Sequence, residues 1–599
     1  MQRSARRFGV SLVALGASVS LATAALAQSG GTQPGDLPNG GLFSDAETCA
    51  GCHSQGALSA EYGYLPFTSW AGTMMANAAR DPVFFAALTV ANQDEPGIGT
   101  FCLRCHAPQS YVRGHATPPD GSAFDAIDLQ GVGCDSCHRM NENPDVNASE
   151  PYLIGNAQVY YDENTAKRGP YDDATSPHHA SLQQLSLGDS SMCGQCHQVS
   201  NPGKKLRDAL GVPTAYDFPL DTTYEEWAQS AFVPTGSDPK SCQDCHMPRK
   251  RGEWPIQTVY INPLRTDPRS HSFVGGNHWG IRAVMHTNPE RATQYAGAFQ
   301  QALDATLVSL ESSVELSLSG LPSSVLPGDS FQATVRVRNL TGHKFPTGYA
   351  ESRRAWIALV IVEPTLGQEH FVVGAFDAAT GEIVDPESTR VYRAQHGRWD
   401  GAAPEAEEHL ALHDMVLLDT RIPPKGFVAT PTTEPIGIDY GDGSGGYRDY
   451  DEATFDVSVP LSYSTDLRVE ARVYFQSMTK HYVDFLRAEN TTDDKGEILH
   501  DAFVATGEAA PIQIASVGVD FGLGGGGGGG EGPGAIAVGV GGGGGAGGSG
   551  GSSTSDPTGG GCDCSATTGS SGRGSGAALA LGALALSAAL GRRSKRKRS

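Results

Sequence analysis

Cys49-Ala50-Gly51-Cys52-His53 is the first of five stretches with one spacing. The others are Cys102-Leu103-Arg104-Cys105-His106, Cys134-Asp135-Ser136-Cys137-His138, Cys193-Gly194-Gln195-Cys196-His197 and Cys242-Gln243-Asp244-Cys245-His246. In Cys-x-x-Cys-His, two thiols can add across the vinyl groups of a haem, and the adjoining imidazole becomes the proximal ligand of its iron. A zinc site needs four ligands closed about one ion, whereas each stretch offers the same two thiols and one imidazole, at irregular intervals. The pattern predicts five covalent haem c groups held by Cys49, Cys52, Cys102, Cys105, Cys134, Cys137, Cys193, Cys196, Cys242 and Cys245. The proximal iron ligands are then His53, His106, His138, His197 and His246.

Both ends of the chain speak to location. Arg3, Arg6 and Arg7 precede an apolar run from Phe8 to Leu26 that closes on Ala25-Leu26-Ala27, the pattern of a secretory signal over 1–27. Haem c is attached outside the cytoplasmic membrane, so export and the cysteine motifs support each other. At the far end a Gly-rich linker, 522–561, has the composition of a flexible tether. Residues 562–599 follow with Cys562-Asp563-Cys564, an apolar stretch Gly576–Leu590 and the basic run from Arg592 to Arg598. The apolar stretch is shorter than the roughly 20 residues that cross a bilayer, and its cations would stay on the cytoplasmic side. The expectation is a protein at the outer cell surface or in the periplasm, tethered through this segment.

The net charge of −23 disfavours nucleic acid and anionic surfaces as partners. A basic redox protein or a mineral surface is favoured instead.

Between the ends, residues 41–287 read as short helices and Pro-, Gly-, Asp- and Asn-rich loops gathered around haems that replace much of a side-chain core. The clearest helix there is Trp70–Ala91, with Met74, Ala78, Phe84, Phe85 and Leu88 on one face. A connecting helix is expected over 288–312. Residues 313–514 alternate apolar and polar positions in short β-branched runs: Ser313–Leu318, Phe331–Val337, Trp356–Ile361, Phe371–Val373, Phe427–Pro431, Phe455–Val459 and Leu467–Phe475. That pattern predicts an immunoglobulin-like all-β sandwich.

Sixth ligands come from outside the motifs. His178 and His179 follow turn-like segments, His271 opens His271-Ser272-Phe273-Val274-Gly275-Gly276-Asn277-His278, and His343 stands in the loop Asn339-Leu340-Thr341-Gly342-His343-Lys344-Phe345-Pro346-Thr347-Gly348. All four are candidate distal ligands. Arg104, Arg139 and Lys344 are candidate partners of haem propionates.

Phe43–His53, Gly131–His138, Cys193–Val199 and Cys242–Pro248 resemble haem sites of the multihaem cytochromes of the cytochrome c-554 and c-prime group. The resemblance spans most of residues 41 to 280 and implies electron transfer by closely packed low-spin haems, mostly with two axial histidines. That family commonly shows Trp-x-x-Ser-x-His after the first motif, with the His as an axial ligand. Here Trp70-Ala71-Gly72-Thr73-Met74-Met75 puts Met75 in that place, and a thioether ligand would raise the haem's potential. Gly-His-x-x-Pro-Thr-Gly segments also occur in C-terminal domains of large multihaem cytochromes, which implies that His343 completes an axial pair. The tail from Gly560 onward resembles the myxobacterial C-terminal sorting region.

Two functions fit these readings. The first is an electron carrier between a redox donor and a redox acceptor. The second is an oxidoreductase acting on a small nitrogen or sulfur compound at one haem with an open sixth position. No atypical proximal motif such as Cys-x-x-Cys-Lys is present, which favours the carrier; catalytic residues are not assigned.

Overall fold

Each Cys-x-x-Cys-His stretch folds as a short helical turn, which brings the two thiols and the imidazole, three and four positions apart, to one side. The computed structural model describes residues 31–37, 43–145, 147–259, 263–349, 351–463, 466–522 and the strand 537–540. The expected signal 1–27, the tail 562–599 and most of the linker lie outside the described residues. Among the described residues no helix is long and apolar enough to cross a membrane.

The motif-bearing part is built from α1 (Ala46–His53), α2 (Pro66–Ala71), α3 (Pro82–Asp94), α4 (Gly99–His106), α5 (Pro108–Val112), α6 (Cys134–His138), α7 (Ser190–Gly194), α8 (Thr223–Ala228) and α9 (Cys242–His246). Local chemistry starts these helices. Asp45 and Asp189 cap α1 and α7 through the amides of Glu47 and Ser191, and Ser241 with Asp244 forms a capping box on α9. The single helix expected over 70–91 is instead two. Asp81 caps α3, and Pro82 at its first position cannot continue a helix from before it. Gly72 ends α2 where a side chain would strike the Ala298 carbonyl.

A hairpin of β1 (Val199–Arg207) and β2 (Pro213–Asp221) adds extended structure to a region read as helix and loop. Its turn carries Gly211 at φ +76°, against the ring of Trp399. The connection expected over 288–312 is also broken: α10 (His278–Thr287) and α11 (Pro289–Gln294) precede α12 (Ala296–Glu311), with Pro289 starting α11.

The second part packs two antiparallel sheets face to face. One holds β3 (Val314–Ser319), β4 (Ser330–Asn339), β10 (Tyr450–Ser458) and β13 (Ala537–Val540); the other holds β5 (Arg354–Glu363), β6 (Gln368–Val373), β7 (Val391–Tyr392), β11 (Leu467–Gln476) and β12 (Ile512–Phe521). Leu316, Val335, Ala355, Ile357, Val469, Val473 and Phe455 meet in one core between them. β12 runs to Phe521, beyond the expected end at 514. β13 pairs with β3 from inside the Gly-rich linker, where Ala537-Val538-Gly539-Val540 interrupts the glycines with β-branched residues. Phe427–Pro431, expected as a strand, is loop and turn.

Two insertions were not expected. β8 (Ala394–Trp399) and β9 (Met415–Asp419) form a small sheet between β7 and β10. α13 (Lys480–Glu489) and α14 (Lys495–Ala505) leave the end of β11 and pack on α3 and α10 through Ala86, Val90, Trp279, Val483, Leu486 and Phe503. The motif-bearing part and the sandwich therefore share one core cluster and belong to one compact unit.

Candidate functional site

The ten motif cysteines carry no disulfide, and their order in space differs from their order in sequence. Cys49 contacts Cys134, Cys105 contacts Cys196, and Cys193 contacts Cys242. Cys137 lies close enough to Cys193 and Cys196 to act on both thiols electrostatically. The imidazoles repeat the arrangement: His53 feels His138, and His106 and His246 both feel His197. The first motif thus adjoins the third and the third adjoins the fourth. The fourth also touches the second and the fifth.

Backbone carbonyls orient three of the five proximal imidazoles. Nδ1 of His53 meets the Ile256 carbonyl at 2.9 Å, Nδ1 of His138 that of Arg168 at 2.6 Å, and Nδ1 of His246 that of Val274 at 2.5 Å. A ring that donates through Nδ1 keeps the lone pair of Nε2 for a metal. Burial, followed by a neighbouring imidazole, pushes His106 and His246 down to about 4, so both rings are uncharged at neutral pH. Phe84 stacks flat on His106, with centroids 3.8 Å apart and planes 11° apart. Sequence reasoning missed these supports, since a carbonyl partner leaves no side-chain signature and Phe84 read as a helix-face residue.

Two of the proposed distal histidines stand opposite motif histidines. The rings of His138 and His271 are 6.1 Å apart at 24°, and those of His246 and His343 are 6.2 Å apart at 22°. An iron held about 2 Å from a nitrogen of each ring puts the ring centres roughly 6 Å apart, so both pairs fit an iron with two axial imidazoles. One short segment serves both centres, because His271 faces His138 while Val274, three residues on, holds Nδ1 of His246. Burial, with His138 the next cause, pushes His271 down to about 3.

The loop of His343 is tied down by Asn339. Its amide nitrogen donates to the carbonyls of His343 (2.7 Å) and Ile422 (2.9 Å), and its oxygen accepts from the amide of Thr341 at 2.8 Å.

The remaining candidates separate. His179 donates through Nδ1 to the Ala180 carbonyl, 3.1 Å away, and lies near both His53 and His138. His178 is exposed. Met75 sits between α2 and α3, its carbonyl accepting from the amide of Val132 at 3.0 Å, which places its backbone beside the approach to the third motif. Arg104 is buried over the Tyr111 ring with its Nε unpartnered, an arrangement suited to a propionate. Lys344 is not such a partner, because its ammonium is fully buried and bound to Asp419 at 2.6 Å.

Among the described residues, the clusters of three or more side chains able to hold a metal ion contain no cysteine. No known family description and no curated protein matches the chain. Among solved structures, a penta-haem cytochrome c552 from Thermochromatium tepidum is similar at a TM-score of 0.45 and 17% identity, over 80% of this chain and 99% of that one. That likeness is too distant to carry an argument about function.

Proposed function

We propose that this chain is an exported pentahaem c-type cytochrome that passes single electrons between redox partners. The observation that carries the reading is the pair of facing imidazoles, His138 with His271 and His246 with His343, each built on a Cys-x-x-Cys-His stretch at a separation that accepts an iron. Haem c supplies the ferric–ferrous couple, and the chain's own residues set axial ligation, burial and spacing. His179, near both His53 and His138, is the further distal candidate. The immunoglobulin-like sandwich delivers His343 to the fifth motif, and the tail beyond the described residues tethers the molecule at the cell surface. A basic redox protein suits the acidic chain as partner.

The test is expression of residues 28–561 with c-type maturation factors, followed by mass spectrometry and oxidised and reduced spectra with and without carbon monoxide. Five covalent haems, low-spin and indifferent to carbon monoxide, support a conduit. A chain that takes up no covalent haem overturns the reading. One high-spin haem that binds carbon monoxide moves the function to an oxidoreductase acting on a small nitrogen or sulfur compound.

A further inference from the structure

Glu351, His396 and His413 lie outside every cysteine motif, yet one ligand atom from each falls within 4.8 Å of the others. They come from three places. Glu351 lies in the turn between the His343 loop and β5, His396 is on β8, and His413 is on the loop that leads into β9. All three side chains are buried, with 6%, 8% and 0% exposure. Phe218 of β2 seals the cluster, its ring 5.1 Å from that of His396 and 5.7 Å from that of His413.

The polar bookkeeping of this cluster is incomplete. Glu351 Oε1 accepts from the backbone amide of His396 at 2.7 Å and Oε2 from the Tyr349 hydroxyl at 2.8 Å, which orients the carboxylate. His396 Nδ1 is 3.6 Å from Oε1, and His413 Nε2 is 3.7 Å from Oε2, both beyond a hydrogen bond. His413 Nε2 meets the Glu407 carbonyl at 2.8 Å. Nδ1 of His396 and Nδ1 of His413 are both buried with no hydrogen-bond partner. Two orphaned imidazole nitrogens beside a buried carboxylate cost free energy unless something occupies the space among them.

A divalent cation resolves each of these features. It balances the carboxylate, and it takes lone pairs that no hydrogen reaches. With bonds of about 2.0–2.2 Å, tetrahedral ligands are roughly 3.4 Å apart, close to the 3.6 Å between His396 Nδ1 and Glu351 Oε1, while His413 offers Nδ1 as its Nε2 is held by the Glu407 carbonyl. Two imidazoles and one carboxylate suit a borderline first-row ion rather than calcium or magnesium, which prefer oxygen throughout. The Nε2 contact of His413 with a backbone carbonyl is the outer support that ligating histidines commonly have. We infer that Glu351, His396 and His413 form a divalent transition-metal site, of the kind that takes Zn2+, separate from the haem irons. Glu351 is eight positions beyond His343 on one connection between strands, so an ion here would clamp that connection onto the β8–β9 insertion.

The experiment uses the haem-loaded protein without an affinity tag, stripped with a chelator, equilibrated with micromolar Zn2+, dialysed, and analysed for zinc and iron per chain. One zinc per chain is expected in the wild type. At least a tenfold loss of zinc affinity is expected in Glu351→Gln and in His413→Gln, with iron per chain unchanged, and no loss in His370→Gln at an exposed position. Wild-type protein that retains less than a tenth of a zinc per chain overturns the inference. So does zinc retained equally by all the variants, which would be adventitious binding at surface histidines. Should a variant lose iron, and with it the fold, the wild-type stoichiometry and the isosteric Glu351→Gln protein decide. Iron content is read independently, so a failed haem reading and a failed zinc site give different results.

Discussion

His271 and His343 show how much a single side chain decides. Each stands about 6 Å from a motif imidazole, half-buried, and each is supplied by a segment remote from the motif it faces. Replacing either with alanine is expected to open one iron, so that one haem per chain becomes high-spin and binds carbon monoxide, while His178→Ala leaves the spectrum unchanged. Titrating each variant with carbon monoxide and following the Soret band checks this. At this scale the sequence was legible where chemistry is local: five Cys-x-x-Cys-His motifs cannot be hidden in a chain with twelve cysteines. Glu351, His396 and His413 were not legible, because they are spread over two connections and a strand and only the fold gathers them.

At the scale of elements, α3 depends on one carboxylate. Asp81 accepts from the amide of Val83 at 2.9 Å, and burial pushes its carboxyl up from 3.8 to about 6, against the opposing pull of Arg353. The folded state therefore holds this proton more tightly than the unfolded chain does. The contribution of Asp81 to stability falls as pH rises from about 4 to about 6 and is level above that. Asp81→Asn retains a good cap without the buried charge, so its melting temperature should match the wild type near pH 4 and exceed it by a few degrees at pH 7. Asp81→Ala loses the cap and costs roughly 1 kcal/mol. Scanning calorimetry of the three proteins at both pH values separates these outcomes.

A second element, the β1–β2 turn, admits only glycine at Gly211. A Cβ there would sit 2.2 Å from the ring of Trp399 on a backbone at φ +76°. Gly211→Ala should loosen the hairpin from the insertion, and faster proteolysis of the 199–221 hairpin is the readout. Strand alternation such as that of Leu467–Gln476, buried at every second residue, made the sandwich readable. The β8–β9 insertion and the α13–α14 pair did not announce themselves, since their faces are completed by α3, α10 and the hairpin rather than by a local repeat.

Across the whole molecule, a buried network joins the sandwich to the motif-bearing part. Arg421 holds Asp419 through two hydrogen bonds of 2.7 Å and reaches Glu226 of α8 at 3.0 Å; Glu226 in turn accepts from the Lys344 amide at 3.0 Å and the Thr347 hydroxyl at 2.9 Å. Glu226→Ala leaves Asp419 as the one carboxylate shared by the buried Arg421 and Lys344, an uncompensated positive charge, and frees the loop that carries His343. A loss of about 3–5 kcal/mol is expected, measured by denaturant unfolding, together with a shift of the fifth haem toward high spin. Because the pair is buried, salt should weaken it little.

The adjacency of the motifs has its own consequence. The fourth motif borders the second, third and fifth, and the first borders the third. Under the proposed electron-carrying function these contacts describe a hub with three arms, one of them two stations long. A lesion at an arm's tip prunes that tip alone; a lesion at the fourth motif breaks the circuit into three islands at once.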